Sequence, residues 1–320
     1  MSGRDPHRRF GKRQVSDLAL FAALVYLWGR SPHLGTRVTI SAPPDTLSAL
    51  ITLPSSSLAT VDIARMNLLC AEGLEGTRPG GIEAAESTLD AWAAKVRRET
   101  DRHQYRFDRN PGEFEGSEGY FKLQFLGVVL AEDFGVHYDV DRRAGPAVSA
   151  EQDGFFRDPD AVFLSGLLGP QRRGTCSSMP VLYVAVGRRL SYPLKLVTTK
   201  GHLFVRWEGC GERFNVEVTG EGLNRFPDAY YRQWPFTVTD EEVAEEGYLK
   251  SLSPAEELAV FVSVRGMCLL EANRAAEAAD AFEAAARLVP GVRSYGVMAA
   301  RCRARADASA FRATTETRTL

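Results

Sequence analysis

The sequence predicts an α+β protein: a helical first half, a central helix followed at once by short antiparallel strands, and a closing helical segment. Three observations carry this. Apolar residues recur at three- and four-residue steps between Leu58 and Leu130, β-type runs fall between Leu194 and Thr219, and the block from Pro254 to Pro290 is rich in Ala, Glu and Leu. A chain of 320 residues is long enough for a full core and two packed units.

The first 57 residues read as an arm and connector, partly disordered. Within them the apolar run Leu18 to Trp28 follows Arg8, Arg9, Lys12 and Arg13. It is about half the roughly twenty residues that a bilayer requires. Gly29-Arg30-Ser31-Pro32 offers no small-x-small cleavage site, so the run reads as a packed amphipathic helix rather than a leader or anchor. Ser31 to Ser57 is a loose connector with one short strand or helix.

Residues 58–150 form a helical region packed on the core. A helix is expected from near Leu58 to Glu72, with Gly73 as its stop, and a second carries Ile82, Ala85, Leu89, Trp92, Ala93 and Val96 on one face. A third runs through Tyr120, Phe121, Phe125, Leu126, Val129 and Leu130 to Phe134-Gly135, and Asp158-Pro159-Asp160 starts a shorter one. Residues 151–250 are the α+β core: a helix from about Cys176 to Leu190, then strands Leu194 to Thr199, His202 to Trp207 and Arg213 to Thr219. Residues 251–310 are helical and 311–320 a disordered tail.

Composition excludes several functions. The 44% apolar and 25% charged content is that of a soluble globular protein, and a net charge of -2 supplies no field for nucleic acid. Arg172-Arg173 and Arg188-Arg189 read as solvated charge at helix ends. The five cysteines lack CxxC spacing, which argues against a disulfide framework and a zinc cluster. A site from Cys176, His202 and Cys210 lacks a fourth ligand. No cofactor, metal, nucleic-acid or membrane partner is expected, and a reducing cytoplasm is the expected compartment.

One constellation carries chemistry. Thr175 is placed to cap a helix whose first turn holds Cys176, where unpaired N–H groups and the helix dipole favour a thiolate. Period-two spacing puts His202, Phe204 and Arg206 on one strand face. If Glu208 to Gly211 is a four-residue hairpin loop, Trp207 pairs with Glu212 and His202 lies opposite Glu217, with Cβ atoms about 4.5 to 5.5 Å apart. Nucleophile, base and orienting acid then stand ready for acyl transfer through a thioester. Asn215 shares the face and is the alternative orienter under a register change. The Cys176 N–H is one expected oxyanion donor, and Gln171 is a candidate for the second beside an unidentified loop residue.

Gly174-Thr175-Cys176, Gly201-His202 and Phe214-Asn215-Val216-Glu217-Val218-Thr219 resemble the core motif of the transglutaminase-like superfamily. The chain more closely resembles its bacterial SirB-type branch, in which a helical region and the core precede TPR-type helices, over roughly Leu58 to Pro290. The resemblance implies a papain-like fold with Cys176 as nucleophile, His202 as base and Glu217 in the acid's place. Glu217 replaces the more usual Asp, and Ser191 stands where Gly is commoner. Some members of this branch lack the Cys.

Leu258, Ala259, Gly266, Leu269, Leu270, Ala278, Phe282, Ala285, Leu288 and Pro290 match the TPR pattern, with Asn273 at the turn. A lone repeat must bury its apolar face on the core or on another protein, and packing on the core is expected. Two functions follow. The first is a cysteine acyl transferase or amide or peptide hydrolase acting on a peptide or protein amide. The second is a non-catalytic binding or regulatory protein that meets a protein partner through its TPR-like segment.

Overall fold

Asp62 opens the first long helix: its carboxylate accepts the Ala64 N–H at 2.7 Å and so starts α1 at Ile63–Ala71 rather than near Leu58. The computed structural model describes residues 42–77, 81–142, 154–220 and 222–317. The expectation for Leu18 to Trp28 lies outside the described residues. The connector holds more structure than predicted, with two short helices at Leu47–Ile51 and Ser55–Leu58.

Every residue of α1 is buried, which makes it a central element of the helical region. α2, Ile82–Arg109, buries only the stripe Ile82, Leu89, Trp92, Ala93, Val96 and Thr100. Its outer end is held by the aromatic cluster Phe107, Phe114, Phe121 and Phe125. α3, Glu118–Val128, continues into a single π-type turn, Val129–Asp133, and ends at Gly135 with φ 70°.

A two-residue parallel pair, β1 His137–Tyr138 with β2 Arg173–Gly174, delivers the chain to the central helix. That helix, α4 Met179–Arg189, has Met179 through Gly187 buried. At its end Ser191 takes φ 62°, while Ser191 N–H bonds Arg188 O and Tyr192 N–H bonds Gly187 O, a Schellman closure.

β3 Leu194–Thr199, β4 His202–Gly209 and β5 Glu212–Val216 form an antiparallel sheet in that order. The β4–β5 register corrects the expected one. Cys210 and Gly211, with φ of 56° and 80°, make a two-residue turn, so Gly209 pairs with Glu212 and Trp207 with Phe214. The shift is two residues, and the face assignment survives because the side-chain period is also two.

Beyond β5 the chain returns to the sheet. Leu249 N–H bonds Thr198 O and Leu252 N–H bonds Leu196 O, both at 2.9 Å, which covers the free edge of β3. Ser253 and Glu256 form a capping box that starts α5, Pro254–Glu271. Asn273, φ 60°, closes α5 before α6, Ala275–Leu288. Gly266 lies so close to Phe282 that an added Cβ would come within 2.8 Å of the ring. α7 spans Arg293–Thr317, so the chain is helical where a disordered tail was expected from residue 311.

These C-terminal helices share one hydrophobic cluster with α1, α2, α4 and the sheet. Leu258, Ala259, Phe261 and Val262 of α5 are essentially fully buried, and each large apolar side chain so buried stabilises by about 1.5 to 3 kcal/mol. Glu257, also fully buried, grips both terminal nitrogens of Arg188 at 2.5 and 3.0 Å. No helix among the described residues is long and apolar enough to cross a membrane.

Candidate catalytic site

The turn Thr175–Ser178 is locked by its own hydroxyls. Thr175 Oγ1 and Ser178 Oγ both donate to Ala161 O, at 3.0 and 2.9 Å, and Thr175 N–H donates to Ser178 Oγ. Thr175 does accept a helix-start N–H, from Ser177, but regular helix begins three residues after Cys176, at Met179. Pro180 sits in the first turn, where its missing N–H costs nothing. Cys176 is 5% exposed, and its backbone N–H makes no hydrogen bond with another described residue.

His202 opens β4 directly after Gly201, whose φ of 71° makes the tight turn and whose absent Cβ leaves room for Phe236 at 2.8 Å. The imidazole is buried. Its Nε2 lies 2.8 Å from Glu217 Oε2, and the Trp234 ring meets it edge-on at 4.6 Å. Nδ1 has no hydrogen-bond partner among the described residues. Cys176 and His202 line the same cavity, of about 250 Å³.

Glu217 leaves the ladder at this point and pairs with Asn224. Its Oε1 accepts the Thr219 N–H at 2.9 Å and the Thr219 hydroxyl, and its Oε2 accepts His202 and, at 3.4 Å, the Tyr231 hydroxyl. A buried carboxylate is tolerated because donors surround it.

Charge at the site is mutually supported. Burial drives the His202 pKa down, but the neighbouring Cys176 and the bonded Glu217 carboxylate overcome it, and the pKa is raised to about 9. Burial likewise raises the Glu217 carboxyl, and the imidazolium and the Thr219 donors hold it below the ordinary range. Tyr231 is pushed up by burial and by the Glu217 charge, so it remains a proton donor.

Asn215 is not brought to His202. It faces Arg206, accepting its Nε–H at 2.7 Å, and gives its own amide protons to Phe226 O and Asp228 Oδ1. Arg206, 1% exposed, completes the network at 2.6 Å from Asp228. Gln171 is exposed in the loop before β2 and does not line the cavity. Cys210 and His202 stand at opposite ends of β4, and no group of three or more His, Cys, Asp or Glu among the described residues is arranged to hold a metal.

Several site residues escaped sequence reasoning. Tyr231 and Trp234, with Thr219 of the quoted motif, complete the His202–Glu217 surroundings, and the aromatic run Tyr230-Tyr231 with Trp234 is the signal available for the first two. Phe155, Phe156, Tyr248 and Tyr295 wall the cavity without any local pattern to mark them.

The family model of the transglutaminase-like superfamily matches residues 83–256, more than half of the chain and a span holding Cys176, His202 and Glu217. Neither the curated proteins nor the solved structures gave a match.

Proposed function

Since the chain belongs to the transglutaminase-like superfamily, we propose that it is a cysteine acyl transferase or amide hydrolase whose nucleophile is Cys176, base His202 and orienting acid Glu217. The observation that carries this reading is the 2.8 Å His202–Glu217 bond beside a cavity that Cys176 also lines. With its pKa raised to about 9, His202 is an imidazolium at neutral pH, positioned to stabilise negative charge that develops on the Cys176 sulfur.

The Cys176 sulfur attacks an amide carbonyl of a peptide or protein, forming the C–S bond. The Cys176 N–H, in the turn that precedes α4, donates to the oxyanion. Collapse breaks the C–N bond, and His202 gives its proton to the leaving amine. In the second half His202 takes a proton from water or from an acceptor amine, which attacks the thioester and returns the thiolate. Glu217 holds the imidazole through Nε2, leaving Nδ1 as the nitrogen for this proton. Gln171, exposed and away from the cavity, is not retained as the second oxyanion donor.

The helix-then-strands order supports a papain-like core. The α5–α6 hairpin, closed at Asn273 and tight at Gly266, supports a TPR-like extension of the SirB-type branch. An unblocked cavity beside Cys176 favours the enzyme over a scaffold that only binds.

The test is alkylation of Cys176 by iodoacetamide across pH, followed residue by residue by mass spectrometry. At pH 7 wild type should react at least about tenfold faster than His202→Ala, as expected of a thiolate paired with imidazolium. Equal rates would remove the nucleophile–base pair and favour the non-catalytic reading.

A further inference from the structure

Part of the cavity wall comes from outside the α4–sheet pair that carries the three site residues. Tyr248 stands in the strand-edge segment, Val260 and Val264 on α5, and Tyr295 on α7. These are long-range placements with a definite cause. The Leu249 and Leu252 hydrogen bonds to β3 bring the start of α5 beside Thr198, and the buried Glu257–Arg188 pair fixes α5 against α4.

Phe155 and Phe156, which also line the cavity, meet edge-to-face, centroids 4.8 Å apart. Their segment is tied down twice: Phe156 N–H bonds Glu271 at the end of α5, and Arg142 bonds Phe155 O. The space is therefore walled by aromatic rings and valines held by hydrogen bonds at several points, with the hydroxyl-bearing residues Ser177, Thr198, Thr199, Ser263 and Ser294 between them.

Its charge is one-sided. No Lys or Arg lines the cavity among the described residues, and the one carboxylate is Glu246. Glu246 is occupied by the Ser294 N–H in the first turn of α7, at 3.1 and 3.3 Å. The His202 charge faces Glu217. Tyr248 and Tyr295 are raised by burial, Tyr248 to about 12, so both hydroxyls stay neutral. Apart from His202, whose charge is paired with Glu217, an anionic group entering here loses water and gains no cation.

Resting on the nucleophile reading above, we propose that this cavity is the specificity pocket for one apolar or aromatic side chain adjoining the carbonyl that Cys176 attacks, with Tyr248, Val264 and Tyr295 setting the preference. A volume of about 250 Å³ lies below the roughly 300 to 1,000 Å³ of pockets for drug-sized ligands and suits a single side chain. The C-terminal helices thereby serve the reaction as part of the substrate site.

The full chain would be mixed with 4-nitrophenyl esters of N-acetylated Phe, Leu, Gly, Asp and Lys. The Cys176 sulfur attacks the ester carbonyl, the C–S bond forms, the C–O bond breaks, and 4-nitrophenolate leaves with the electron pair. Acylation is read as nitrophenolate release and as the mass of the Cys176 peptide. Phe and Leu esters should acylate about 10- to 100-fold faster than Gly, and Asp should be slowest. Val264→Phe and Tyr295→Ala should each reduce the Phe-to-Gly ratio about tenfold while Gly acylation persists.

Equal rates across the panel, or Lys faster than Phe, would overturn the pocket while leaving the nucleophile standing. Absence of any Cys176 adduct, with Gly as with Phe, would overturn the nucleophile reading and the pocket together. The wild-type panel decides the matter even where a variant does not fold.

Discussion

Glu217 reaches His202 on a diagonal. The β4–β5 ladder pairs Val205 with Val216 and stops, so Glu217 is not directly across from His202, yet Oε2 lies 2.8 Å from Nε2. The longer acid side chain spans this offset, and Thr219 and Tyr231 hold its head in place. Glu217→Asp withdraws the carboxylate by one bond, about 1.5 Å. The His202 pKa should then fall by about one to two units, the worth of a charge-assisted hydrogen bond. NMR titration of the His202 ring measures it, and an unchanged titration would mean that Glu217 does not set the imidazole charge.

Stability should carry the same signature. His202, raised from 6.5 to about 9, contributes stability that is complete below pH 6.5 and lost as pH rises through about 9. Glu217, lowered from 4.5, contributes stability present above pH 4.5 and lost as pH falls through its folded value. The two overlap between about pH 4.5 and 6.5. Urea unfolding at pH 4, 6 and 9.5 should find Glu217→Gln less stable by on the order of 2 kcal/mol at pH 6, with a smaller gap at both extremes.

Asn215 is expected to matter for the sheet and not for the imidazole. Its amide sits between the buried Arg206 and Asp228, two residues before Glu217. Asn215→Ala should cost about 1 to 3 kcal/mol, because the Arg206 Nε–H loses its acceptor in a buried site. The His202 titration should not move. A pKa drop comparable to that of Glu217→Asp would instead make Asn215 a positioning residue for the base.

What was legible in the sequence, and what was not, follows the range of the interaction. Periodicity marked α2 and α3 because a buried stripe repeats every helical turn, and alternation put His202, Phe204 and Arg206 on one face. The register was missed at Cys210. Cysteine seldom takes positive φ, so Glu208-Gly209-Cys210-Gly211 read as a longer loop than the two-residue turn it contains. The β1–β2 pair is too short for any period to appear. Tyr248 and Tyr295 reach the cavity through tertiary packing alone, which leaves no trace in local order.

Ser191 illustrates a departure with a readable backbone cause. It occupies the left-handed position of the Schellman closure after α4, φ 62°, where a Cβ crowds the following carbonyl. Its side chain is exposed, so its replacement removes little packing. Ser191→Gly should therefore stabilise the fold by about 0.5 to 1 kcal/mol, even after glycine's extra chain entropy. Thermal unfolding provides the check, and a lowered Tm would show that the serine hydroxyl contributes more than the backbone relief.

Glu257 links the C-terminal helices to the catalytic helix. Its fully buried carboxylate takes both terminal nitrogens of Arg188, in the last turn of α4, while its neighbours Leu258 and Phe261 enter the common cluster. Removing one member of such a pair leaves a charge poorly compensated and typically costs about 3 to 5 kcal/mol, reduced here because Arg188 retains partial exposure to water. Glu257→Ala should lower stability by about 2 to 3 kcal/mol in a single cooperative urea transition. Because Val260 and Val264 ride on the same helix, hydrogen exchange should also rise at Tyr248 and along β3. Two separate transitions, with β3 protection unchanged, would mean that the C-terminal helices fold independently of the site they wall.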